Sequence, residues 1–173
     1  DYKQLEAADA DLEAYSTIIQ LELLDRHDGS RTVLDLPEAL HAQTSDTIDV
    51  AISSDNRYLA TRVIKLTRNR KPESAGLLIW DLEPEAPVLL RRIDQLTSGM
   101  VFTPDGSMLI WIESPLPDED ESIFDFDRIE NTIQTLTLSD PDAGPHSLPG
   151  PKGRLNELGN KPVLSPDGRW FAC

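Results

Sequence analysis

Apolar and polar positions alternate along most of this chain in short runs that turn residues interrupt. The clearest run is residues 133–138, IQTLTL. A period of two places successive side chains on opposite faces of a β-strand, so such runs predict strands with one buried face. No run approaches the ~18 consecutive apolar residues of a membrane-spanning helix. The pattern therefore predicts an all-β protein.

Three segments repeat one pattern: a short apolar run, a Ser or Thr, a tight turn and a second apolar run. They are residues 48–61 (IDVAISSDNRYLAT), residues 99–111 (GMVFTPDGSMLIW) and residues 161–173 (KPVLSPDGRWFAC). A single turn of this kind occurs in every fold class. Three copies with matching flanks predict three β-hairpins, each joining two antiparallel strands.

The turn residues suit such hairpins. Proline presets φ at about −65°, aspartate can accept hydrogen bonds from nearby backbone, and glycine accepts positive φ. The first copy has asparagine in place of glycine, and asparagine tolerates positive φ better than most residues. We assign a structural role in the three turns to Asp55, Asn56, Pro104, Asp105, Gly106, Pro166, Asp167 and Gly168.

The stretches between the hairpins also repeat, because each holds two further strands around a short turn. The unit is strand a, turn, strand b, loop, strand c, turn and strand d, which is the content of one β-propeller blade. Within residues 16–173 we expect strands c and d of one blade, two full blades, and strands a and b of a further blade. A β-sandwich would also contain short strands, but it gives no reason for recurring motifs.

The ends of the chain lead to two further expectations. Residues 1–15 are rich in Ala, Glu and Asp with apolar residues near helical spacing, which predicts an N-terminal helix or linker. About three blades' worth of strands is fewer than the four to eight blades typical of propellers. We therefore expect an incomplete propeller, whose further blades belong to the same parent chain.

Two motifs resemble those of a known family. Trp80 and Asp81 end strand c of the first full blade, and Ser-Pro-Asp-Gly-Arg-Trp-Phe-Ala spans residues 165–172. Both motifs look like those of WD-repeat propellers and of the related TolB-like propellers. The resemblance covers residues 17–173 and implies the propeller fold. The Gly-His pair of the strict WD signature is missing from every repeat.

Charge and motif content exclude several function classes. The chain has 16 Lys and Arg against 31 Asp and Glu, a net charge of −15, and such a surface repels nucleic acid and anionic lipid. The lone Cys173 excludes an internal disulfide and a multi-cysteine zinc site. Nucleophile-elbow and phosphate-loop motifs are missing, and the three histidines show no metal-ligand spacing. We therefore expect no catalytic residue, no cofactor and no metal.

Two loops between strands b and c form the candidate binding surface. The first is basic, and the second is long, acidic and partly aromatic. Since both belong to neighbouring blades, we expect them on one face, where a rigid scaffold often carries function. Aromatic residues often centre interfaces, but a loop of this composition is more typical of a solvated insertion whose phenylalanines cover a blade edge. The candidate binding residues are Arg68, Arg70, Lys71, Asp118, Asp120, Phe124 and Phe126.

These observations favour a non-catalytic scaffold that mediates protein–protein interaction through its loops. The alternative, implied by the resemblance, is an accessory propeller that restricts substrate entry to a hydrolase of the prolyl-oligopeptidase type encoded further along the chain. A self-associating structural module is a third class. A nucleophile elbow beyond residue 173 would favour the hydrolase accessory.

Overall fold

The computed structural model of the chain describes residues 21–37, 47–66, 72–114, 130–140, 142–152 and 162–172. Every regular element in these ranges is a β-strand, and none of them holds a helix able to cross a membrane. The all-β prediction is confirmed for this part of the chain. The strands are β1 (Leu21–Leu24), β2 (Arg31–Leu34), β3 (Thr47–Ile52), β4 (Tyr58–Leu66), β5 (Pro72–Asp81), β6 (Val88–Ile93), β7 (Leu96–Phe102), β8 (Met108–Ser114), β9 (Glu130–Thr137), β10 (His146–Lys152), β11 (Val163–Leu164) and β12 (Phe171–Ala172).

The strands form four antiparallel sheets, and each sheet is built from consecutive strands. Two sheets have four strands, β3-β4-β5-β6 and β7-β8-β9-β10, and two have two strands, β1-β2 and β11-β12. In chain order we call them half-blade 1 (β1-β2), blade 2 (β3–β6), blade 3 (β7–β10) and half-blade 4 (β11-β12). Four strands that meander from one edge of a sheet to the other make a propeller blade. The fold is therefore an incomplete set of propeller blades.

Blade 2 and blade 3 pack face to face. Strands β3 and β5 of blade 2 contact β7 of blade 3, and no hydrogen-bonded ladder joins the two sheets. The buried cluster between them includes Leu77 and Ile79 of β5 together with Leu109, Trp111 and Leu136 of blade 3. The apolar cluster, rather than backbone pairing, holds the two blades together.

A second buried cluster lies on the other face of blade 2. Leu34 of half-blade 1 packs there with Leu59, Leu78 and Trp80 of blade 2. Strand β5 thus sends alternate side chains into two different clusters. A strand that is buried on both faces reads as a continuous apolar run, which explains the sequence LLIW at residues 77–80.

Candidate functional site

One hydroxyl and one carboxylate close each of the three turns between strands a and b. In blade 2 the Ser53 hydroxyl donates to Asp55 Oδ1 at 2.5 Å, and the backbone N–H of Arg57 donates to the same oxygen at 3.1 Å. The N–H of Tyr58 donates to Ser53 Oγ at 2.8 Å. The same three bonds recur in blade 3 and half-blade 4 with the hydroxyl–carboxylate pairs Thr103–Asp105 and Ser165–Asp167.

The fourth position of each turn has left-handed backbone. The φ angle is 61° at Asn56, 71° at Gly106 and 69° at Gly168. Asparagine and glycine are the residues that adopt this conformation at least cost. The structure thus places the eight residues assigned to turns in three equivalent positions along the chain.

Hydrogen bonds within the turns lower the pKa of the carboxyl groups of Asp55, Asp105 and Asp167 below the ordinary value of 3.8. The largest cause is the hydroxyl donated by the Ser or Thr two residues earlier, and the backbone N–H two residues later adds to it. Both donors favour the charged form. The carboxylates therefore serve the turns as ionised acceptors.

The lowered pKa of Asp105 predicts a loss of stability in acid. Because the folded-state pKa lies below the unfolded value, the stabilisation is present above about pH 4 and is lost as the pH falls through the folded-state pKa. Asp105→Asn carries no such charge, so its free energy of unfolding should fall less steeply below about pH 4. Urea titrations at several pH values across this range measure how steeply the free energy of unfolding falls with pH. The control is Asp142→Asn, at an exposed position of another turn, and a slope for Asp105→Asn equal to that of the control would contradict the prediction.

The three turns touch one another in chain order. Ser54 Oγ donates to the carbonyl oxygen of Pro104 at 2.7 Å. A Cβ added at Gly106 would lie 3.2 Å from Cγ and Oδ1 of Asp55, and one added at Gly168 would lie 3.5 Å from Cδ of Pro104. We call residues 53–56, 103–106 and 165–168 the turn rim. It forms a continuous surface on one face of the propeller.

Gly106→Ala should destabilise the protein more than Gly168→Ala. Both glycines have positive φ, so each alanine costs about 1–2 kcal/mol for left-handed backbone. Only at Gly106 does the new Cβ come to 3.2 Å from a carboxylate, which Ser53 and Arg57 hold in place. Urea unfolding of both variants checks the difference. Gly29→Ala supplies the baseline, since a Cβ at Gly29 meets nothing within 4 Å. Equal losses in the free energy of unfolding at all three positions would argue against the close approach of Gly106 to Asp55.

A groove of about 320 Å³ lies beside the turn rim, between strand a of blade 2 and strand a of blade 3. Val50 and Ile52 of β3 form part of one wall, β7 supplies the facing wall, and Pro162 beside β11 also borders it. The lining is apolar apart from the rim residues Ser54 and Thr103. The groove thus lies where strand a of blade 2 meets strand a of blade 3, and Pro162 brings the start of half-blade 4 to it.

The predicted binding residues Arg68, Arg70, Lys71, Asp118, Asp120, Phe124 and Phe126 lie outside the described residues, as do residues 1–15. The strands that flank the two b–c loops are described. β4 ends at Leu66, β5 begins at Pro72, β8 ends at Ser114 and β9 begins at Glu130. Since the two blades share one strand order, these four strand ends lie on the face opposite the turn rim.

Polar side chains make hydrogen bonds within and between the blades, nearer to that opposite face than to the turn rim. Arg62 of β4 is buried and donates from Nη1 to the carbonyl oxygen of Thr97 in β7 at 2.7 Å, which joins blade 2 to blade 3. Within blade 3, Gln134 Nε2 donates to Glu113 Oε2 at 2.6 Å, and Ser147 Oγ donates to Gln134 Oε1 at 2.8 Å. These contacts were not predicted from the sequence. The sequence offered one indication of them, since Gln134 alternates with Leu136 and Leu138 and so falls on the same face of its strand as those leucines.

The Trp-Asp pair at the end of β5 links strand c to strand b. Trp80 is buried. Asp81 Oδ1 accepts the backbone N–H of Glu83 at 2.9 Å, and Asp81 Oδ2 accepts Nη2 of Arg57 at 3.3 Å. An arginine at the start of strand b thus binds the aspartate that ends strand c. Among the described residues, no group of three or more His, Cys, Asp or Glu side chains is arranged to hold a metal ion.

Comparison with known proteins gives similarity at the level of structure. No protein-family model matches the chain, and no curated protein matches it significantly. Hydrazine synthase of Kuenenia stuttgartiensis aligns with a TM-score of 0.51 at 18% identity, over 90% of this chain and 44% of that chain. Acylaminoacyl peptidase of Pyrococcus horikoshii aligns with a TM-score of 0.45 at 15% identity, over 75% of this chain and 21% of that chain.

Both of these proteins contain propellers, and the hydrazine synthase alignment supports the propeller fold of this chain. At 18% identity the likeness concerns the fold alone. The chain spans less than half the length of either protein. The accessory role beside a hydrolase stays a prediction.

Proposed function

We propose that the chain is a non-catalytic β-propeller scaffold of the WD-repeat or TolB-like type, which binds a protein partner through the b–c loops of blades 2 and 3. One observation carries the proposal: the four strand ends that flank these loops lie on one face of two blades that are joined by a buried hydrogen bond from Arg62 to Thr97. A rigid frame of this kind presents two loops side by side and lowers the entropy cost of ordering them on binding.

The composition of the loops indicates the kind of partner. The loop of blade 2 carries Arg68, Arg70 and Lys71, and the loop of blade 3 carries acidic residues around Phe124 and Phe126. Adjacent patches of opposite charge fix the orientation of a partner with the complementary pattern. Phenylalanines within the acidic loop would supply the apolar anchor that dominates many interfaces. The partner expected is therefore a protein with an apolar pocket in a basic patch and an acidic patch beside it.

The test compares three forms of the immobilised chain against extract of its source cells, with bound proteins quantified by mass spectrometry. The wild type and the variant Phe124→Ser/Phe126→Ser are compared with Val88→Ser, which alters an exposed apolar residue of β6. We expect one protein to be retained by the wild type and by Val88→Ser, and to bind the double variant at least about tenfold more weakly, which corresponds to about 1.4 kcal/mol.

A second arm tests the charges on the purified partner. Arg68→Glu/Arg70→Glu should slow association and reduce its dependence on salt, because charges at the rim of an interface act mainly on the association rate. Retention of the same proteins by all three immobilised forms would contradict the proposal. Equal association rates for the charge variant and the wild type would also count against it.

A further inference from the structure

A polar layer lies between blades 2 and 3, next to the apolar cluster that holds the two blades together. Arg62 of blade 2 reaches into it and binds the carbonyl oxygen of Thr97. Blade 3 supplies Thr97, Glu113 and Gln134, and Gln134 donates to Glu113 Oε2 at 2.6 Å. We call these four residues the polar layer. Buried polar groups in folded proteins almost always have hydrogen-bond partners, so every donor and acceptor in the layer should have one.

Two buried side-chain atoms of blade 3 make no hydrogen bond within the described part of the chain. They are Nε1 of Trp111 and Oγ1 of Thr97. The Trp111 side chain is 0% exposed and Thr97 is 1% exposed, so bulk solvent cannot reach either atom. The indole N–H is a donor only, whereas the hydroxyl both donates and accepts. A buried polar group without a partner is costly to folding, and a buried tryptophan N–H usually finds one.

The strand register places these two residues on the same face of blade 3, the one toward blade 2. Thr97 of β7 lies opposite Glu113 of β8, and Trp111 is two residues from Glu113 in the same strand. Directly opposite residues and residues two apart share one face of a sheet. Thr97 and Trp111 are therefore diagonal neighbours, a separation of about 7–8 Å that aromatic side chains can reach across.

Blade 2 contains a tryptophan and a threonine in the same relation, and there the two side chains bond directly. Thr61 lies opposite Leu78, and Trp80 is two residues from Leu78 in the same strand. Trp80 Nε1 donates to Thr61 Oγ1 at 3.5 Å, and both side chains are buried. The diagonal pair of blade 3 makes no such direct bond. One small molecule that accepts from the indole and donates to the hydroxyl completes it.

We propose that one water molecule binds in the polar layer between blades 2 and 3, where it accepts Nε1–H of Trp111 and donates to Oγ1 of Thr97. Buried waters make two to four hydrogen bonds, and the Glu113 carboxylate, opposite Thr97, accepts the second hydrogen of the water. Glu113 is only partly buried, so water enters the layer from the side of the b–c loops. The bound water links strands a and b of blade 3 beside the bond from Arg62 to Thr97.

A double-mutant cycle measures the link between the two side chains. Thr97→Val removes the hydroxyl and keeps the shape of the side chain, so it should raise the equilibrium constant for unfolding about tenfold by leaving the indole N–H without its bridge. In a Trp111→Phe background, which lacks that N–H, the same change should raise the constant less than about threefold. Urea titrations of the four forms give these ratios.

The matched control is Thr61→Val, at the pair that bonds directly. Its effect should be the same with and without Trp111→Phe, because Thr61 and Trp111 belong to different buried clusters. An equal effect of Thr97→Val in the two backgrounds would overturn the proposal. None of these variants alters the b–c loops, so the proposal stands or falls separately from the proposed partner binding.

A crystal structure of the wild-type chain, at a resolution that shows ordered water, tests the site itself. We expect one water within about 2.7–3.2 Å of both Trp111 Nε1 and Thr97 Oγ1, and none bonded to Trp80 Nε1. A direct hydrogen bond from Trp111 Nε1 to another protein atom would overturn the proposal. An indole with neither water nor protein atom at that distance would overturn it too.

Discussion

Replacing Trp111 with alanine is expected to lower the free energy of unfolding by about 3–5 kcal/mol. Trp111 is the largest of the fully buried side chains, and it lies in the cluster that holds blade 3 against blade 2. Its removal leaves a cavity between two sheets that no hydrogen-bonded ladder joins. The surrounding side chains cannot close that cavity unless a whole blade moves, so the cost should be near the upper end of the range.

Urea unfolding followed by far-ultraviolet circular dichroism measures this loss at a fixed protein concentration. Val88→Ala is the control, because an exposed apolar side chain outside any cluster should change stability by no more than about 0.5 kcal/mol. If Trp111→Ala lowers the free energy of unfolding by less than about 1 kcal/mol, the cluster between blades 2 and 3 is not the principal source of stability.

Gly150→Ala is expected to cost about 1–3 kcal/mol, as overpacked sites do. A Cβ at this position would lie 2.5 Å from the carbonyl oxygen of Asn131 and 2.8 Å from its carbonyl carbon. Both atoms belong to the backbone of the neighbouring strand β9, so no side-chain rotation relieves the contact. The alanine must separate β10 from β9 at the irregular register between Pro149 and Lys152. A glycine within a strand often marks such a close approach.

The same urea titrations, together with amide hydrogen exchange, check this prediction. Gly144→Ala is the matched control, since a Cβ there meets nothing within 4 Å. We expect Gly150→Ala to lose exchange protection in β9 and β10 while the protection of β3–β6 is kept. Comparable stability of the two alanine variants would rule out the close approach of Gly150 to β9.

Local chemistry made the hairpins predictable from the sequence. The apolar runs around Asp55, Asp105 and Asp167 mark paired strands, and the turn between them needs an acceptor followed by a residue with positive φ. Asn56 could be aligned with the two glycines because asparagine shares their tolerance of left-handed backbone. Four strands per repeat followed from counting the runs between the turns, and the two full sheets have that number.

Contacts between blades were not predictable, because they join residues far apart in the chain. Arg62 is charged and lies in a strand, so the sequence alone predicts that its side chain is exposed to solvent. The structure buries it and bonds it to Thr97 of the next blade. The bond from Ser54 to Pro104 is of the same kind, since the sequence predicts both turns without placing them side by side. The groove beside the turn rim depends on the same stacking of blades.

The stacking of blade 2 on blade 3 is the central claim, and nuclear Overhauser contacts from the Trp111 ring test it most directly. If the blades stack as described, the ring protons of Trp111 contact methyl groups of Leu77 or Ile79, in a different sheet, and amide contacts pair β3 with β4 and β7 with β8. Ring contacts confined to β7–β10, or backbone contacts that pair β6 with β7 in one continuous sheet, would contradict the propeller.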